Sequence, residues 1–135
     1  MAGPERPRAR RATSPPRAYA WFCGVFLLLQ GTSTLAARMI PAVDRAFPLL
    51  LRATRMVPVH SLLHIATAVL AFVVLGVGGR AAGWFALLFG TFYAGLGFLG
   101  LATGHSMGLG LQAFDHPFHI VLGLLGVVAA WRAPR

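Results

Sequence analysis

Lysine is missing from this chain, cysteine occurs once, and only three residues are acidic. Each shortage removes a class of protein. Charged residues make up 11% of the sequence, where a soluble domain carries roughly a quarter. That supply cannot cover a water-facing surface. With 57% hydrophobic residues, the main solvent of the chain is expected to be lipid. The lone Cys23 excludes an intramolecular disulfide, and any zinc site needing two cysteines from one chain. Lying inside an apolar run, it reads as a small apolar residue in a helix interface. The sequence holds no paired carboxylates, phosphate-binding loop or nucleophile elbow. The lack of Lys beside abundant Arg is a compositional mark of a genome rich in G and C, and a bacterial cytoplasmic membrane is the expected location.

What the chain does carry is arginine. The net charge is +9 and the pI about 11.9, which raises nucleic-acid binding. The distribution argues against it. All twelve basic residues are Arg, and they lie outside the longest apolar runs. Arg6, Arg8, Arg10, Arg11 and Arg17 precede the first run, and Arg38, Arg45, Arg52 and Arg55 follow it. Arg80 stands alone between two later runs, and Arg132 and Arg135 close the chain. Charge at the ends of spans is how a membrane protein is built. No nucleic-acid partner is expected.

Residues 1–17 are rich in Pro and Arg and show no apolar periodicity, so they read as a disordered cytoplasmic arm. Such an arm reaches anionic lipid headgroups, at roughly 1 kcal/mol per Arg near the surface. Residues 18–135 form the membrane domain. Its four apolar segments run about Tyr19–Ala37, Val57–Val77, Ala81–Thr103 and Phe114–Trp131. A hydrocarbon core of about 30 Å needs roughly 20 helical residues. The third segment meets this without a charge; the fourth does so only with Asp115 and His116 at the interface. The expected fold is an all-α, integral membrane four-helix bundle. The first linker, Arg38–Met56, holds an apolar core at Phe47–Leu51 and reads as a segment lying on the membrane surface. The next is only Gly78–Arg80, and the third is Gly104–Ala113.

The first segment has the positive flank and small residues of a signal peptide, but it matches a later span. Aligning Phe22–Phe26 with Leu88–Phe92 pairs Gly24 with Gly90, Phe26 with Phe92 and Gly31 with Gly97. The second and fourth segments align through His64-Ile65 and His119-Ile120. The chain therefore reads as two copies of a two-helix unit, parallel and related by an axis along the membrane normal.

Orientation follows from the positive-inside rule. With the N-terminus inside, eight Arg lie on the cytoplasmic side and four outside, all four in the first loop. Both termini are then cytoplasmic, and all five histidines gather at the outer end with Asp115. His60 and His64 are four apart and share a helical face; His116 and His119 are three apart and do likewise. Thr67 and Ala71 continue the first face, Gly123, Gly126 and Ala130 the second, while Ile65, Val69, Phe72, Leu122 and Leu125 are left for lipid. At 1.5 Å per residue His64 lies about 10 Å deep and His119 about 7 Å.

Three readings apply to His60, His64, His116, His119 and Asp115. The imidazoles can ligate a metal or haem iron. They can titrate as a proton-responsive switch. Or they can simply hydrogen-bond across helices, with Gln30 and Thr34 as partners. Helix packing is assigned to Gly24, Gly31, Gly90, Gly97, Gly100, Gly104, Gly123 and Gly126, because small residues let membrane helices approach. Ala82, Ala86, Gly90 and Ala94 form a further stripe, serving contacts within the chain or in a homo-oligomer or larger complex.

The pattern Leu63-His64-Ile65, the run Phe118–Gly126, and the preceding Phe89–Gly97 resemble a bacterial four-helix membrane family, domain of unknown function 4383. The resemblance covers roughly Tyr19–Trp131 and departs at Ala68 and Ala71, where the family pattern has glycine. It implies architecture and no activity. The leading functional expectation is a non-enzymatic structural or accessory membrane protein with no cofactor. The alternatives are a redox protein binding a metal or haem at the outer histidines, and a small transporter or proton-responsive protein.

Overall fold

The computed structural model describes residues 13–49, 56–105 and 107–133. Five helices account for nearly all of them: α1 (Pro15–Met39), α2 (Pro41–Ala46), α3 (Pro58–Val77), α4 (Gly79–Thr103) and α5 (Asp115–Trp131). Proline and glycine explain most of the boundaries. Proline opens α1, α2 and α3, where its fixed φ and missing N–H cost nothing. The residue before proline is pushed out of the helical region, so Ile40 is extended at φ −121°, ψ 102° and ends α1. Val57 is extended in the same way before Pro58. Gly78 alone separates α3 from α4, at φ 137°, a region that side chains disfavour. Gly104 ends α4 in the left-handed conformation, its N–H donating to the Gly100 carbonyl at 2.8 Å.

Three helices, α1, α3 and α4, are long and apolar enough to cross a membrane; α5 is apolar but has 17 residues. Between 28% and 39% of each long apolar window is buried inside the protein. The remainder is an outward belt of large apolar side chains, including Leu29, Val69, Val73, Leu88, Phe92, Phe98 and Leu125. Such a belt is stable against lipid and not against water.

The four longer helices pack side by side. The most extensive interfaces are α1 with α3 and α4 with α5. Helices α1 and α4 also touch, whereas the α3 and α5 backbones stand apart on the long diagonal. The starts of α1 and α4 and the end of α5 line one cavity, with Ser14, Pro16, Gly79, Arg80 and Ala133, so these ends lie together. The core is made of small and aromatic residues, among them Tyr19, Ala20, Cys23, Leu27, Ala68, Ala86 and Tyr93. The Tyr19 hydroxyl donates to the Leu122 carbonyl at 3.0 Å, tying α1 to α5.

Glycines set the close approaches. A Cβ at Gly31 would lie 2.7 Å from the Ser61 carbonyl oxygen and 2.9 Å from Ile65 Cγ1. A Cβ at Gly97 would lie 2.6 Å from both the His116 carbonyl oxygen and Ile120 Cγ1. Gly24 makes room for the Phe72 ring, Gly90 for the backbone at Gly123 and Val127, and Gly100 for the His116 imidazole. Gly123 meets the α4 backbone at Ala94, and Gly126 receives the Tyr19 ring.

Several expectations need correction. Gly104 makes no close approach within the chain: nothing lies within 4 Å of its Cβ direction, and it serves as a helix cap. The arm is shorter than 17 residues, because α1 begins at Pro15 and Arg17 donates to the Leu75 carbonyl at 3.1 Å; residues 1–12 lie outside the described residues. Leu122 faces the core rather than lipid, since it falls three residues after His119 on the same helical face. The first linker contains α2, which buries no residue, and exposes Phe47 and Leu49; residues 50–55 lie outside the described residues.

Candidate metal centre

Three of the five histidines converge. His60 and His64 come from the first two turns of α3, and His119 from the second turn of α5. One nitrogen from each lies within 4.8 Å of the others. The His60 and His64 rings meet edge to face with centroids 4.5 Å apart, and the His60 ring reaches across the long diagonal to within 6.1 Å of His119. The i, i+4 spacing puts both α3 rings on one face, and that face looks into the gap between α3 and α5. All three side chains are no more than 3% exposed.

Part of their hydrogen-bonding capacity is unspent. Among the described residues, both nitrogens of His64 and the Nδ1 atoms of His60 and His119 are buried without a partner. A neutral imidazole has one donor and one acceptor, and burying such groups unpaired costs on the order of 2 kcal/mol or more each. Thr34, expected as a partner, is engaged elsewhere: its hydroxyl bonds to the Gln30 carbonyl at 2.6 Å and lies 3.0 Å from the Ser61 hydroxyl. The Gln30 amide oxygen is itself buried without a partner.

The other two histidines do not join the convergence, although the buried Nδ1 of His116 also lacks a partner among the described residues. The buried His116 ring packs over Gly100 of α4. His105 is exposed in the α4–α5 connection, where its Nδ1 accepts the Met107 N–H at 2.9 Å. Asp115 sits one turn before His119 and accepts the Gln112 N–H at 2.7 Å through Oδ2. Its carboxylate is close enough to act electrostatically on His60 and His119. Leu111 from the same connection is buried, and the Leu109 backbone faces His60.

Tyr93 belongs to the site and was not anticipated. Its ring stands edge to face on His119, with centroids 4.9 Å apart, and is 2% exposed. The signal was available, because Tyr93 falls on the face of α4 shared by Ala86, Gly90 and Gly97.

Three imidazole nitrogens suit zinc, copper, iron or nickel and not the oxygen-preferring magnesium or calcium. Zinc–nitrogen bonds of about 2.0–2.1 Å hold tetrahedral ligands roughly 3.3 Å apart, so side-chain rotations must draw the rings slightly inward. Four cavities of about 420–650 Å³ are lined by other residues. Comparison of the chain with protein-family models, curated proteins and solved structures returned no match.

Proposed function

We propose that this chain is a four-span membrane protein that holds one transition-metal ion between His60, His64 and His119. The observation that carries the reading is the buried convergence of three imidazoles with unpartnered nitrogens. A purely structural role would need each imidazole to bond a neighbour, yet Thr34 is spent on the Gln30 carbonyl and on Ser61, and both nitrogens of His64 stay unpartnered among the described residues. One cation satisfies all three rings at once. A bare ion is favoured over haem, because haem iron takes at most two protein ligands and three imidazoles converge here.

Four spans and a two-fold repeat go with this reading. Helix α5 is about 25 Å long at 1.5 Å per residue, and it packs along α4 with exposed Trp131 at its end. Pairing His64 with His119 relates α3 to α5 by a shift of 55 residues. Under that shift Ser61 becomes His116, Ile65 becomes Ile120 and Phe72 becomes Val127. These are the neighbours of Gly31 and Gly97, and of Gly24 and Gly90, in the two halves. The agreement of contacts supports the repeat more strongly than the few sequence identities do.

The test uses full-length protein in lipid nanodiscs, purified through a tag without histidine and stripped with a chelator. Zn²⁺ or Cu⁺ should then bind at one equivalent per chain. Binding at a concentration 100 times Kd should stabilise the fold by about 2.7 kcal/mol. H64Q and H119Q should lose both effects, because an amide is a poor ligand for these ions. Wild-type protein that retains neither ion and shows no thermal shift would refute the reading.

A further inference from the structure

We infer that Asp115 is the fourth ligand, and that the site is a three-histidine, one-aspartate centre for a divalent ion of the zinc class. The inference rests on the metal-binding reading above and on the repeat.

The shift of 55 residues that carries His64 onto His119 also carries His60 onto Asp115. Each half therefore contributes an i, i+4 pair from the start of its second helix: His60 with His64 on α3, and Asp115 with His119 on α5. The α3 pair meets His119 across the gap left between the α3 and α5 backbones, and Asp115 lies one turn before His119. Three of the four positions already converge. In the repeat Asp115 is the counterpart of His60, and its carboxylate lies within electrostatic reach of His60 and His119. Aspartate is shorter than histidine, so its oxygens stand further out until an ion draws them in. The bond from the Gln112 N–H occupies Oδ2, and Oδ1 accepts no hydrogen bond among the described residues. A hydrogen bond on the far oxygen is how a ligating carboxylate is oriented.

Charge argues the same way. Three neutral imidazoles leave a dication with its full charge in a desolvated site. The cost of burying charge rises with its square, so one carboxylate that reduces the net charge from +2 to +1 removes most of that cost. No other described acid is placed to do this. Asp44 lies on α2, which packs only on α1. A monovalent ion such as Cu⁺ has no such need, so the carboxylate distinguishes the two classes.

The experiment uses the full chain in nanodiscs with Co²⁺ as the spectroscopic probe for the zinc class. Wild type should bind one equivalent of Co²⁺ with the intense visible bands of four-coordinate cobalt, and Zn²⁺ should displace it. D115N should bind Co²⁺ and Zn²⁺ at least about tenfold more weakly and shift those bands. D115S keeps an oxygen acceptor for the Gln112 N–H and should behave like D115N, which separates ligation from loop folding. Either folded variant binding both ions with wild-type affinity and spectrum would overturn the fourth ligand while leaving the three-histidine reading intact. Uptake of Cu⁺ by wild type without uptake of Co²⁺ or Zn²⁺ would overturn the divalent assignment alone. Failure of wild type to bind any of the three ions would remove the metal reading itself.

Discussion

His64 has a donor and an acceptor in a dry environment and spends neither on a described neighbour. This fixes the sign of a simple substitution. Replacing an unsatisfied buried polar group with an apolar one of similar shape is neutral or stabilising. Chelator-treated H64L should therefore melt at or above the temperature of chelator-treated wild type. With Zn²⁺ added the order should reverse, since only wild type gains the ion. A histidine held by protein hydrogen bonds would give the opposite sign in chelator, with leucine losing on the order of 1–3 kcal/mol. His116 serves as the control. Its ring packs on Gly100 and is not one of the three that converge, so H116A should leave metal stoichiometry unchanged. The cluster was half legible in the sequence. The i, i+4 spacing of His60 and His64 placed two rings on one face, and small residues on the same faces pointed them inward. Separating His119 from His116 needed the helix rotation, because both lie within one turn of each other and only one reaches the gap. The inward face of Tyr93 was readable from the small residues that share it, but not which ring on another helix it would meet.

Among the helices, the close approaches rest on glycines that meet backbone. At Gly31 and Gly97 an added methyl would press on a carbonyl oxygen at 2.7 and 2.6 Å, and a carbonyl in a helix cannot turn aside. G31A and G97A should each lose about 1–3 kcal/mol, the usual cost of overpacking, with the α1–α3 and α4–α5 pairs forced apart. Gly95 has nothing within 4 Å of its Cβ direction. G95A should be neutral or gain up to about 1 kcal/mol from helix propensity. Denaturation of all three in one detergent checks the contrast, and equal losses would mean that the glycines act through flexibility rather than space. The elements themselves were largely readable. Prolines mark the starts of α1, α2 and α3, and Gly78 marks the single-residue turn. Gly104 misled because small-x-x-x-small spacing is also produced by a helix that simply ends on glycine. The α2 helix was hidden because a six-residue segment with no buried side chain has no periodicity to detect.

For the whole molecule, the ends of the helices carry the argument about sides. The starts of α1 and α4 share one end with the last turn of α5, so the starts of α3 and α5, and the histidines they carry, belong to the other. The positive-inside rule predicts which end is cytoplasmic. With the arm inside, eight Arg are cytoplasmic against four outside. Of those four, Arg38 is partly accounted for within the protein, since its guanidinium donates to the Met56 carbonyl at 2.7 Å. Long loops count less than short ones in setting orientation, and the α3–α4 connection is the shortest between the long helices. A reporter active only in the cytoplasm should therefore work when fused after Arg135 or within Gly78–Arg80. It should fail within residues 38–56 or 104–113. This pattern would put the metal centre at the outer end, reachable by an ion from outside through the connection that carries His105. Reversing it would move the histidines to the cytoplasmic side, while the buried triad would be unchanged. A C-terminal reporter on the opposite side from the arm would be the more damaging result. It would mean that α5 does not cross, and a helix lying outside the membrane could not bring His119 to a gap between two spans.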